Sequence, residues 1–297
     1  MKFRDEIRIT FNGREHLLRL MLINAAVFLF FALLKLLAFL GLPSEVLRLG
    51  NYLELPSNLQ ALMLKPWTVF TYMFVHYNFM HVLFNLLVMY WTGRIFCEFH
   101  PQSRLTALYV LGGLAGGLAF VVLYNIIPAF EVASAMTVLI GASAGVFAIM
   151  VGAAMMAPNY PVQMLLFGEI KLKYVAIALT ILYLVSIPDS NSGGNIAHLG
   201  GGLAGLFYIL LMRKGFNPGA WVEYLLELPT KLGERKIRVV HSKTNASFSK
   251  KGDTNKLRQD VIDAILDKIS RSGYDSLTAK EKEILFKASG DANDPNS

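Results

Sequence analysis

The sequence predicts an all-α integral membrane protein, a six-helix membrane bundle followed by a small cytoplasmic helical hairpin. Three observations carry this. Apolar residues make up 54% of 297 and charged residues only 16%, where a soluble domain carries about 25% charged residues. Charge is also segregated: residues 1–212 hold 12 of the 28 Lys/Arg and 9 of the 21 Asp/Glu. Finally, that apolar part breaks into six runs, most of them near the roughly 20 residues a helix needs to span a bilayer.

In chain order, a basic segment at 1–19 precedes the first apolar run at 20–40. No cleavable leader is read there, because the run follows a charged stretch and is long enough to span. Lys35 falls inside it and reads as a snorkelling residue near the outer interface. Residues 41–77 are too long for a turn. Their Leu47, Tyr52, Leu53, Leu55, Leu59, Leu62 and Trp67 predict a structured loop resting in the interface. Further runs follow at 80–96, 105–127, 137–156, 173–187 and 195–212, so the membrane domain is placed at 20–213. A basic linker is expected at 214–255. The remainder, 256–297, reads as two amphipathic helices: Leu257, Val261, Ile262, Ile265, Leu266 and Ile269 share one helical face. Gly273 stops that helix, and Thr278 with Glu281 forms a capping box for the next.

Lys and Arg set the orientation. Lys2, Arg4, Arg8, Arg14 and Arg19 precede the first run. Arg94, Arg104, Lys171, Lys173, Arg213 and Lys214 fall in the loops on the same side, whereas the opposite loops hold only Arg48 and Lys65. Both termini are therefore expected in the cytoplasm. The net charge of +7 sits where it would meet the cytoplasmic face of a bilayer, and no nucleic-acid partner is expected. The hairpin shows no basic recognition face and reads as a packing module or a dock for a cytoplasmic partner. The single Cys97 excludes an internal disulfide. No metal or cofactor is expected.

Four features carry candidate chemistry. Gly141-Ala142-Ser143-Ala144-Gly145 fits G-x-S-x-G, although small residues in membrane helices also serve close packing. His198 lies in the last run, where an ionisable residue marks function by default; an interhelical hydrogen bond is the other reading. Gly201 and Gly205 share its face and leave room for a neighbouring helix. His81 and Asn85, four apart, share a helix face and are donors of the kind that stabilise an oxyanion, or else an interhelical pair. His76 precedes them in the loop. With the termini inside, Ser143 lies about six residues into its run, roughly 10 Å down, and His81, Asn85 and His198 lie near the same outer end. Groups kept only for packing have no reason to converge at one depth. No acid is placed to orient His198, so a Ser–His dyad is expected.

The order and spacing of these motifs resemble the rhomboid family of intramembrane serine proteases, over about residues 66–212. His76, His81 and Asn85 match an H-x4-H-x3-N signature, Gly141 to Gly145 the nucleophile motif, and His198 with Gly201 and Gly205 the histidine helix. The resemblance implies Ser143 as nucleophile, His198 as base, and His81, Asn85 and the Ser143 N–H as oxyanion donors. It implies transmembrane proteins as substrates and a multi-pass location in the cell membrane, of bacterial inner-membrane type. This chain departs from the family in three places. Trp67-Thr68 replaces a frequent Trp-Arg, Phe147 stands where some members place a tyrosine beside the histidine, and Cys97-Glu98 occupies the end of the second run. The alternative is a non-proteolytic rhomboid-like factor that binds membrane proteins for quality control; such a protein would normally lack Ser143 or His198. A transporter would instead place charged or broken helices at the midplane.

Overall fold

The computed structural model describes residues 16–41, 43–133, 136–164, 168–189, 191–233 and 253–291. Lys2, Arg4, Arg8 and Arg14, and the linker from 234 to 252, lie outside the described residues. The chain divides into two units, Met1–Arg235 and Lys236–Ser297.

In the first unit, six apolar helices pack together among the described residues: α1 (His16–Phe39), α4 (Phe79–Phe99), α5 (Gln102–Ile126), α6 (Ser143–Met156), α7 (Leu172–Val185) and α8 (Ser192–Arg213). Four of them, α1, α4, α5 and α8, are long and apolar enough to cross a membrane, and the chain is an integral membrane protein. α5 is the axis, with 67% of its apolar window buried against 17% for α1. It can be central because Gly112, Gly113, Gly116 and Gly117 let side chains and backbone of other elements close on it. α6 and α8 press against α5 and against each other. α1 and α7 lie outside, and Leu29, Leu33, Ile177, Ile181, Leu184 and Val185 are exposed on them, as lipid-facing residues should be.

The long loop after α1 is structured. A 3₁₀ helix (Ser44–Tyr52) leads into β1 (Leu55–Pro56), α2 (Leu59–Leu64) and α3 (Thr68–Thr71). Trp67 Nε1 donates to Tyr52 O at 2.7 Å, Lys65 Nζ to Asn51 O at 2.8 Å and Thr71 Oγ1 to Leu53 O at 2.9 Å. Thr68 is fully buried and donates to Lys65 O at 2.7 Å. The loop is thus closed by side chain to backbone bonds without the arginine frequent in the family. Lys35 is exposed on α1, where it shares a small cavity with Glu54 and Tyr77 of this loop.

Two parts differ from the sequence reading. The run at 137–156 is helical only from Ser143. Before it, β2 (Val138–Leu139) pairs antiparallel with β1, Leu55 opposite Leu139. Hydropathy does not separate an apolar strand from an apolar helix, and Gly141, at φ +111°, blocks the helix from extending backward. The linker expected at 214–255 contains a helix, α9 (Ala220–Gly233). Glu223 fastens it to the membrane unit, accepting from Asn217 Nδ2 at 2.7 Å and Ser103 Oγ at 3.2 Å, with Arg104 at 4.0 Å. Between α6 and α7 stands a hairpin, β3 (Pro161–Met164) and β4 (Gly168–Lys171).

In the second unit α10 (Asp253–Ser272) and α11 (Ala279–Asp291) flank a turn at Gly273, whose φ is +76°. The capping box forms: Thr278 N donates to Glu281 Oε2 at 2.7 Å and Glu281 N to Thr278 Oγ1 at 3.4 Å. Lys268 Nζ reaches both Glu281 oxygens at 2.9 Å. The Lys268 bond first, then those from Thr278, hold the Glu281 carboxyl down to about 2. Of the expected apolar face of α10, Ile265 is buried and Ile262 and Ile269 are half-buried, but Val261 and Leu266 are exposed. The Leu257 side chain lies outside the described residues.

Candidate active site

The site forms where a non-helical segment becomes α6. Irregular backbone at membrane depth is tolerated only when protein satisfies its polar groups, and here it does. Ser57 N donates to Thr137 O at 3.0 Å, Gly141 N to Tyr72 O at 2.9 Å, and Ala142 N to His76 Nε2 at 3.2 Å. His76 is fully buried. Its Nδ1 lies 3.3 Å from Phe74 O, which can only accept, so Nδ1 carries the proton and Nε2 is free to accept from Ala142. His76 therefore holds the residue immediately before Ser143.

Ser143 opens α6. Its N–H belongs to the first turn, whose donors have no intrahelical acceptor and sit at the positive end of the helix dipole. Its Oγ is 2.7 Å from His198 Nε2. The two are brought together by glycines. A Cβ on Gly201 or Gly205 of α8 would run into the backbone carbonyls of Ala144 or Ala148 in α6. On Gly145 it would stand 2.6 Å from Tyr109 O of α5, and on Gly116 of α5 2.6 Å from both Ala144 Cβ and Ala197 O. Three helices thus meet at backbone contact around Ala144, one residue beyond Ser143.

His81 and Asn85 come from the first turns of α4, which Asn78 caps by accepting from His81 N at 3.2 Å. Asn85 Nδ2 donates to His81 O at 2.8 Å. The His81 ring stands edge-on to that of His76, centroids 4.9 Å apart. A Cβ on Gly141 would lie 2.8 Å from His81 Cε1, so Gly141 serves both the turn and the close approach of this ring. His81, Asn85, Ser143 and His198 all line one cavity of about 740 Å³.

The structure places Phe147 differently from the sequence reading. Its ring meets Tyr183 of α7 edge-on, at 5.0 Å and 85°. The aromatic ring against His198 is that of Tyr183, with centroids 4.2 Å apart and planes tilted by 50°. Tyr183 gave no signal in the sequence, because an aromatic residue in an apolar run reads as packing. His198 Nδ1 is buried and has no hydrogen-bond partner among the described residues. No group of three or more His, Cys, Asp or Glu suited to a metal ion occurs among them either.

A half-buried serine–histidine pair lining a cavity within an apolar helical bundle belongs to a polytopic membrane protein. The rhomboid domain family model matches residues 64–215, just over half of the chain, and the chain belongs to the rhomboid family. A second match, to a family of unknown function (DUF6576), covers residues 253–291, the paired helices α10 and α11.

Proposed function

We propose that this chain is an intramembrane serine endopeptidase that hydrolyses peptide bonds in or near the transmembrane helices of other membrane proteins by a Ser–His dyad. The observation that carries the reading is the 2.7 Å contact between Ser143 Oγ and His198 Nε2 in a cavity that His81 and Asn85 also line. Members of the family are generally intramembrane serine proteases. With Nδ1 protonated, Nε2 accepts the Ser143 proton as Oγ attacks the scissile carbonyl, and returns it to the leaving amine. Water then enters the cavity and releases the acyl group. Negative charge on the carbonyl oxygen meets the Ser143 N–H at the positive end of α6, with His81 and Asn85 as further donors.

The reading extends to topology. α1, α4, α5, α6, α7 and α8 are six spans with both termini cytoplasmic, and the cavity faces the extracytoplasmic side of a bacterial inner membrane. The paired helices α10 and α11 serve as a packing module or a dock for a cytoplasmic partner. A substrate helix has its carbonyls committed to intrahelical bonds, so substrates carry helix-weakening residues and a small residue before the cut.

The test is incubation of the purified protein with a fluorophosphonate and mapping of the labelled residue. Labelling at Ser143 is expected. Labelling elsewhere, or none in protein that cleaves a membrane substrate, removes the mechanism. Loss of one oxyanion donor costs a serine hydrolase roughly 10²–10³ in rate. Asn85→Ala should fall below this, about tenfold to a hundredfold in kcat, because His81 and the backbone N–H share the charge. His81→Ala should cost at least as much, since its ring also packs on His76. Full activity in both single variants and the double variant would place the donors elsewhere.

A further inference from the structure

We propose that Tyr183 is the positioning residue for His198, supplying from α7 the orientation that a carboxylate supplies in a triad. The proposal rests on the dyad reading above. An imidazole that accepts from Ser143 through Nε2 needs its ring plane fixed, and the usual device is an acceptor at Nδ1. Here Nδ1 is buried and has no hydrogen-bond partner among the described residues. What the ring does have is the ring of Tyr183 packed against it, centroids 4.2 Å apart and planes tilted by 50°.

That contact does two things. It restricts rotation of the imidazole about its χ2, keeping Nε2 aimed at Ser143 Oγ. A phenol ring at this distance also favours the imidazolium formed during reaction over the imidazole, most strongly where water is excluded. Tyr183 in turn meets Phe147 at right angles, centroids 5.0 Å apart, and Phe147 is buried on α6 one turn after Ser143. The three rings run from the nucleophile helix through α7 to the base. The other residues near this end of α7, Ile181, Leu182, Leu184 and Val185, are exposed, and its buried residues, Leu172 and Ala176, lie in its first half. Tyr183 is therefore the inward-directed aromatic by which the outer end of α7 bears on the dyad.

The test compares Tyr183→Phe and Tyr183→Leu in the full chain, measuring kcat and KM on a membrane substrate and the fluorophosphonate labelling rate of Ser143. The probe is small and does not need the substrate helix to dock. Misplacing a reacting group by about 1 Å costs on the order of 10² in rate. Tyr183→Leu should therefore lower kcat and labelling rate together by about tenfold to a hundredfold, with KM unchanged, while Tyr183→Phe, which keeps the ring, stays within about threefold of wild type. Phe147→Leu, which removes the supporting ring and keeps Tyr183 itself, should lower both rates by a smaller factor; it also keeps the proposal testable if Tyr183→Leu does not fold.

Wild-type labelling by Tyr183→Leu, a Phe variant as slow as the Leu variant, a defect in KM alone, or an unaffected Phe147→Leu would each overturn the proposal. Those results, in a background where wild type cleaves and labels at Ser143, would leave the protease reading intact. A wild type that does neither would remove both.

Discussion

Ser143→Ala and His198→Ala will each abolish cleavage of a membrane substrate, by on the order of 10⁴-fold or more in kcat, and the double variant will lose no more than either alone. Residues that act as one unit are non-additive in this way: without Oγ there is no nucleophile to activate, and without Nε2 the 2.7 Å contact has no base at its far end. Neither substitution should unfold the protein. Ser143 Oγ bonds to His198 alone among the described residues, and the α6–α8 contact is made by Gly201 and Gly205 against backbone, not by the histidine. The measurement is single-turnover cleavage by the three purified variants at matched helicity and melting temperature. Wild-type-like turnover in either single variant, or additive losses in the double, would show that the two residues are not a catalytic pair.

What could be read from the sequence here was whatever breaks the apolar background. Ser143, His198, His81 and Asn85 are polar groups in apolar runs, and the structure brings all four to one cavity. Gly201 and Gly205 are legible because a bare helix face in the register of a histidine predicts a close neighbour, and the structure puts Ala144 and Ala148 there. The capping box at Thr278 and Glu281 is local chemistry and forms as spelled.

What was not legible depends on long-range partners. Residues 137–142 are as apolar as a helix, and only pairing with Leu55 and Pro56, some eighty positions earlier, makes Val138–Leu139 a strand. The hold of His76 on Ala142 spans a similar distance and leaves no pattern. Tyr183 is invisible for a different reason: among the 12 tyrosines and 20 phenylalanines of this chain, nothing in one dimension distinguishes a ring against a histidine from a ring in lipid. α9 escaped because Glu223 and the flanking basic residues gave it the polarity of a linker, whereas its partners Ser103, Arg104 and Asn217 are recognisable only once folded.

Gly201→Ala will lower kcat by about a hundredfold or more while the protein remains helical and membrane-inserted. A Cβ at this position meets the O, C and Cα of Ala144, all backbone atoms of a helix, so no side-chain rotation relieves the overlap. The only relief is separation of α8 from α6. The other side of the contact is equally stiff: Gly116 of α5 already brings that helix against Ala144 and Ala197, so α8 cannot slide toward α5 without a second collision. Separation carries His198 away from Ser143, and an added ångström at a 2.7 Å proton-transfer distance costs on the order of 10² in rate. Helix formation itself does not suffer, since alanine is the better helix former by about 1 kcal/mol. Gly215→Ala serves as the control: that glycine lies just past α8, with nothing within 4 Å of the added methyl, and its strained φ of +81° costs stability without moving the dyad. Fluorophosphonate labelling of both variants decides the matter. Gly201→Ala should label at least tens of times more slowly than wild type, with Gly215→Ala close to it; equal rates for wild type and Gly201→Ala would mean that the α6–α8 contact does not set the position of the base.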